Sequence, residues 1–324
     1  MKNSLFLLGA AAVVALSSCT KNEVLEVAEN RAIGFDSFVG NPTKGVVTND
    51  LFKSFNVFGG FNDFTHVFNN VTVTKGDLNW TVAEGNEAYW QEGKTYTFMG
   101  YSGETAKTLA TATANGVAFT DYTVDPSTQE DLLVSEVSKT EAITKGYDKP
   151  VPMTFRHVLS IMKFTFASEM PENIKITVSD LTVTDLPNKG DYTYTEVNKG
   201  TWNLVEPSTN KASYTVAYDK LIDINNTTGK ESGEIIVMPQ NVSGIKVNFT
   251  VTVTGGLYFT KSHSITLPNI ELLEGNRYNF TATFDGENID PDNPMKPIEF
   301  TVSVLPGWNN ADGGNATVNT TPGN

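Results

Sequence analysis

Residues 298–305 read Ile298-Glu299-Phe300-Thr301-Val302-Ser303-Val304-Leu305. Apolar and polar side chains alternate without a break from Ile298 to Val304. In an extended chain successive side chains point to opposite faces. Ile298, Phe300, Val302 and Val304 therefore share one face, and Glu299, Thr301 and Ser303 the other. A helix would scatter the four apolar residues around its axis. The segment predicts a half-buried β-strand, and the same pattern can be followed outward through the chain.

Upstream it recurs in Tyr278, Phe280, Ala282 and Phe284, and in Val247, Phe249, Val251 and Val253. Ile235 and Val237 repeat it, as do Leu181 with Val183, Ile174 with Ile176 and Val178, and Phe164 with Phe166. Leu133-Val134, Tyr96 with Phe98, Val71 with Val73, Phe55 with Val57, and Ile33 with Phe35 and Val39 carry it to the start of the body. Threonine, valine and aromatic residues dominate these runs, as strands require. Gly255-Gly256 between Val253 and Tyr258 reads as a hairpin turn rather than a phosphate loop. Helical periodicity is confined to residues 51–54 and a turn near 105–110. Many short strands separated by turn signals predict an all-β fold of sandwich type.

Composition limits the function. The chain has 324 residues, 37 acidic against 23 basic, and a net charge of −14. So acidic a chain repels phosphate, which argues against nucleic acid as a partner. One cysteine makes no internal disulfide, and three histidines leave little material for a metal cluster. Hydrophobic residues at 39% suffice for a real core.

The single cysteine is placed informatively. Residues 1–19 read MKNSLFLLGAAAVVALSSC, with Lys2 before an apolar run from Leu5 to Leu16. That run is too short to span a bilayer core of ~30 Å and has the layout of an export signal. Leu16-Ser17-Ser18-Cys19 matches a bacterial lipobox, whose cysteine is acylated and becomes the new N-terminus. Two or three acyl chains, each CH₂ contributing ~0.8 kcal/mol, anchor a protein durably. The expected organisation is a lipoprotein signal peptide at 1–18 and a polar tether at 19–30. An N-terminal β-sandwich domain at 31–148 and a C-terminal one at 149–297 follow. The first boundary falls in the proline-bearing stretch 144–152. The polar stretch 285–297 sets off a C-terminal strand and tail at 298–324.

These pieces, in this order, resemble the fimbrillin family of Bacteroidales, the type V pilus subunits, and in particular its fimbrillin-like outer-membrane lipoproteins. The lipobox at Cys19 precedes a first strand, Ile33 to Val39, and Thr43-Lys44-Gly45. Phe55-Asn56-Val57-Phe58-Gly59, Glu87-Ala88-Tyr89-Trp90, Tyr96 to Tyr101 and Asp131-Leu132-Leu133-Val134 follow. Phe155-Arg156-His157-Val158-Leu159-Ser160 matches the family's F-x-H-x-L-S strand. Met238-Pro239-Gln240, Glu274 to Tyr278, and Ile298 to Trp308 complete the series.

The resemblance implies two transthyretin-like β-sandwich domains in tandem and a surface location on the outer membrane, held by the lipid at Cys19. It implies that a trypsin-like protease cuts the exported precursor after its first strand. The extended C-terminal segment of another subunit then fills the groove left by Ile33, Phe35 and Val39. Lys44 is the candidate cleavage site, in loop chemistry next to Asn41-Pro42; it also reads as a solvated loop lysine. Arg31 is a second candidate, but a cut there leaves the strand attached. Ile298, Phe300, Val302 and Val304 form the candidate donor face, or simply the last strand of their own domain. The expected partners are other fimbrial subunits, the outer membrane, and a host or bacterial surface ligand.

Other motifs point less far. Asp285, Glu287, Asp290 and Asp292 offer oxygen ligands of the kind calcium takes, without the spacing of an EF-hand loop. A polar linker is the plainer account. His66, His157 and His263 lack a cysteine or carboxylate at ligand spacing and read as satisfied or exposed. No cofactor, metal or catalytic residue is expected, and no enzyme. The competing reading is a monomeric surface glycan-binding lipoprotein. It calls for an exposed aromatic row drawn from Trp80, Tyr89, Trp90, Trp202 and Trp308.

Overall fold

The structure is a computed structural model. It describes residues 32–39, 51–62, 64–77, 79–141, 149–171, 173–197, 199–222, 228–256, 258–290, 295–305 and 308. Among these the ordered elements are strands, apart from one 3₁₀ turn at Thr105–Thr108. The fold is all-β, as the alternation predicts. The helical alternative at 51–54 gives way to a strand that opens at Ser54. Phe52 decides this, because its buried ring lies 4.8 Å from Phe155 and 6.1 Å from Phe55.

One eight-stranded sheet occupies the first half. Its order is β1 (Phe35–Val39), β10 (Val151–His157), β8 (Leu133–Ser135), β5 (Thr95–Ser102), β2 (Ser54–Phe61), β3 (Thr65–Lys75) and β4 (Trp80–Val82), with β9 (Ser138–Glu141) also on β5. The end strands β1 and β4 come into contact, so the twisted sheet curls around a core of its own. Phe35, Phe55, Phe68, Phe98, Met153 and Phe155 fill that core. The opposite face of β2 and β5, carrying Phe58, Met99 and Tyr101, is buried in a second core. A strand covered on both faces keeps no polar side, which is why Phe55 to Phe61 loses its alternation. Gly59 is required there: a Cβ would meet the Phe98 ring at 2.6 Å.

The second half is a face-to-face sandwich. One sheet runs β17 (Lys230–Val237), β11 (Ser160–Ser168), β22 (Arg277–Phe284), β23 (Thr301–Leu305). The other runs β15 (Lys211–Thr215), β12 (Lys175–Pro187), β19 (Lys246–Thr254), β20 (Phe259–Thr266), with β16 (Lys220–Ile222) also on β12. Phe166 and Phe249 meet between them, ring centroids 5.0 Å apart. Along β12 the apolar parity switches from Ile176 and Val178 to Leu181 and Val183. A bulge between Ser179 and Thr182, with Asp180 at φ 55°, absorbs the slip and keeps every apolar side chain inward.

A third sheet, β14 (Thr201–Leu204), β13 (Lys189–Thr195), β7 (Gly116–Thr123), β6 (Ala110–Thr113), joins strands from both halves of the chain. A two-stranded ribbon pairs β18 (Gln240–Asn241) with β21 (Glu271–Leu272). Strand pairing therefore crosses the boundary expected between 148 and 149 in three ladders, β7 with β13 and β10 with both β1 and β8. β10, just past that boundary, belongs to the first sheet.

Candidate assembly strands and the corner between them

β1 lies at one edge of the eight-stranded sheet. It runs parallel to β10, from Phe35 opposite Val151 to Val39 opposite Phe155. A parallel neighbour cannot be joined by a tight turn, and here it lies more than a hundred residues downstream. What holds β1 is one ladder and its side chains. Ile33, Phe35 and Val39 are buried, while Phe38 on the outer face is 47% exposed. The Phe35 ring lies edge-on to Phe55, Phe68 and Phe98 at 6.0, 5.4 and 5.7 Å. Such pairs contribute ~0.5–1.5 kcal/mol beyond burial. The Ile33 N–H also donates to the Ala88 carbonyl at 2.8 Å. Cys19, Arg31 and Lys44 lie outside the described residues.

β23 is the edge strand of its sheet. It pairs antiparallel with β22, from Thr301 opposite Thr281 to Leu305 opposite Arg277. Ile298 and Phe300 are buried, and the Phe300 ring packs on Phe164, Phe166 and Phe249 at 5.8, 5.9 and 6.3 Å. Val302 and Val304 are partly buried against the same core. In this structure the segment thus sits as the last strand of its own sheet.

Between these two strands the chain turns a corner, and every residue of Phe155-Arg156-His157-Val158-Leu159-Ser160 has work in it. Phe155 ends the packing of the first core. Arg156 points the other way: its Nη2 is 3.1 Å from Glu274 Oε1, and its guanidinium lies 4.7 Å from the Tyr194 ring centroid. Burial raises the Glu274 carboxyl to about 7, with Arg156 pulling it down. Burial likewise raises the Tyr192 phenol, with Glu274 adding to the rise and Arg156 opposing it. His157 Nδ1–H donates to Asp131 Oδ2 at 2.7 Å, because a carboxylate can only accept. The Val158 carbonyl accepts from Trp202 Nε1 at 2.6 Å, and its N–H donates to the Leu132 carbonyl at 3.1 Å. The Leu159 carbonyl accepts from Gly275 N–H at 2.8 Å. The Ser160 hydroxyl donates to the Leu273 carbonyl at 2.7 Å.

Two contacts of this corner could not be read from the sequence. Asp131 lies 26 positions from His157, far outside any spacing rule. Trp308, beyond the last strand, stacks on His157 with ring centroids 4.3 Å apart and planes 29° apart. Alternation cannot place a tryptophan outside a strand.

The acidic turn is satisfied from within. Asp285 Oδ1 accepts the backbone N–H groups of Glu287 and Asn288 at 2.9 and 3.1 Å. Lys296 Nζ sits 2.5 Å from Asp285 Oδ2 and 3.2 Å from Glu287 Oε2. Burial pushes the Asp285 carboxyl up, but Lys296 and the two N–H groups outweigh it and hold it below the usual range. Asp292 lies outside the described residues. Among the described residues no three His, Cys, Asp or Glu side chains converge as a metal site. His66 packs edge-on to Phe64 at 4.8 Å, and His263 stacks on Phe249 at 5.5 Å. Trp90 and Trp308 are buried. Among the described residues the exposed aromatics are Phe38, Tyr89 and Tyr258, on three separate segments.

A family model described as fimbrillin-like matches residues 45–303, most of the chain. Among solved structures, one described as a cell adhesion protein from Bacteroides uniformis aligns with a TM-score of 0.54 at 17% identity, covering 86% of this chain and 99% of that one. Another, from Bacteroides ovatus, gives 0.49 at 15%, covering 85% and 96%. A fimbrial assembly protein from Parabacteroides distasonis gives 0.41 at 11%, covering 85% and 98%. At 17% identity the first of these speaks to the fold. No curated protein matches the chain.

Proposed function

The chain belongs to the fimbrillin-like family, and on that premise we propose that it is a structural and adhesive subunit of a cell-surface fimbria. It is exported as a lipoprotein, acylated at Cys19 and held on the outer membrane. A protease cuts at Lys44 and frees β1. The groove left along β10 receives residues 298–305 of another subunit, in the manner of β-strand addition.

The observation that carries this reading is the seat of β1. It is an edge strand, bound parallel to a distant partner, with Phe35 and Val39 buried and Ile33 buried just ahead of it. Its removal would uncover a row of apolar side chains beside an unpaired ladder, which a strand of matching alternation fills. Ile298, Phe300, Val302 and Val304 fit as the incoming face. Burying each at ~1.5–3 kcal/mol gives ~6–12 kcal/mol before the costs of association. The role is architectural rather than catalytic.

Limited trypsin digestion of the exported precursor tests the reading. The expected product begins at residue 45 by N-terminal sequencing and forms SDS-resistant ladders. A cut protein that stays monomeric at high concentration would overturn the assignment.

A further inference from the structure

Beyond β23 the chain reaches Trp308, which is 1% exposed and lies on the His157 imidazole at 4.3 Å. His157 is the last residue of β10, the strand that carries β1. The His157 ring is held at its edge by Asp131, so the face offered to the indole has a set orientation. A buried tryptophan N–H ordinarily finds an acceptor; Trp308 Nε1 has none among the described residues. Among the described residues the contact is therefore held by packing. On leaving, the indole regains a hydrogen bond to water, which lowers the cost of release.

The support under this contact depends on β1. β10 is flanked by β1 along Val151–Phe155 but by β8 only along Phe155–His157. Without β1, residues 151–153 lose their strand ladder while the Thr154 carbonyl keeps the Glu136 N–H, and Val151, Met153 and Phe155 lose the apolar neighbours Ile33, Phe35 and Val39. The strand that loosens ends at the ring beneath Trp308.

We propose that Trp308 stacked on His157 is a clasp that retains β23 in its own sheet while β1 occupies β10, and that loss of β1 opens it. This rests on the reading of β23 as a donor strand. It adds an order of events, in which a subunit with its first strand in place does not offer its C-terminal strand. Premature joining of uncut precursors is thereby suppressed by a contact within each chain.

Hydrogen exchange on the full uncut chain tests the clasp without any polymer being formed. Trp308→Ala should raise exchange at residues 301–305 about tenfold, and Trp308→Phe, which keeps a stacked ring, by much less. Phe35→Ala, in the other core, should also raise exchange at 301–305 while residues 164–168 keep their protection. Unchanged protection of 301–305 in Trp308→Ala would overturn the proposal. So would Phe35→Ala loosening 151–155 alone. If Trp308→Ala unfolds the chain, Trp308→Leu, which keeps bulk without an aromatic face, decides: loss confined to 301–305 supports the clasp, and unchanged protection or uniform loss refutes it. Whether cut subunits polymerise is read separately from ladders, so the clasp and the donor-strand reading fail independently.

Discussion

Arg156 and Glu274 face each other across the corner, guanidinium Nη2 3.1 Å from carboxylate Oε1, with the Tyr194 ring beneath the guanidinium. Arg156 comes from the sheet that holds β1, and Glu274 from the loop that leads into β22, the strand that holds β23. The pair therefore fixes the two strand seats relative to one another. Removing two charges from water costs more than a poor geometry returns, so a buried pair here serves register more than stability.

Stability should depend on pH through this pair. Unfolded, Glu274 titrates near 4.5; burial raises it to about 7 in the fold. Between those values the folded chain keeps a proton that the unfolded chain releases. The resulting stabilisation is complete below the lower value and is lost as pH rises through the upper one. Its ceiling is about 3 kcal/mol. Urea unfolding at pH 5 and pH 8 should show that Glu274→Gln loses this share of the difference. The same pH dependence in both proteins would mean that Glu274 stays ionised in the fold.

The seat of β1 should be sensitive to Phe35 and indifferent to Phe38. Phe35→Ala removes a ring in edge contact with three others and should cost about 3–5 kcal/mol. Phe38→Ala on the exposed face should stay within about 0.5 kcal/mol. Denaturant midpoints measure both. Equal effects would mean that β1 contributes by its backbone ladder rather than by its core face.

The strand parities explain how much of this was legible beforehand. Ile33, Phe35, Val39, Phe249, Phe280 and Phe300 announce their burial by alternation, because each strand has one wet face. β2 does not, because both its faces are covered, and neither does the end of β10, where Phe155, Arg156 and His157 are all buried. The place of β10 in the first sheet was hidden for a related reason. Alternation says that a strand has an inner face and not which sheet it joins, and a parallel partner leaves no turn residues as a trace. The corner residues Arg156 and His157 looked like ordinary strand polars, since Glu274, Asp131 and Trp308 reach them from distant segments. Cysteine position and loop chemistry point to Cys19 and Lys44 through the covalent chemistry expected there, which packing does not address.

The acidic turn should be indifferent to chelation. Lys296 already supplies the positive charge between Asp285 and Glu287. EDTA should leave the Tm unchanged, and added calcium should not raise it. A Tm that rises with millimolar calcium and falls with EDTA would show that the lysine is displaced by the ion.

The last strand should separate export from assembly. Val302 is partly buried on an edge strand opposite Phe280, with the apolar face of β23 turned to its own core. Val302→Asp puts a carboxylate at the rim of that core, where it can turn toward water. The cost to the monomer should be about 1–3 kcal/mol. In a groove between subunits the same carboxylate would be enclosed, with the full penalty of an unpaired buried charge. The variant should therefore be exported and folded, yet give no SDS-resistant ladder after cleavage. Thr301→Asp, on the exposed face of the same strand, should assemble. Ladders that persist in Val302→Asp would exclude residues 298–305 as the donor, because Val302 lies on the apolar face that the proposed groove would have to enclose.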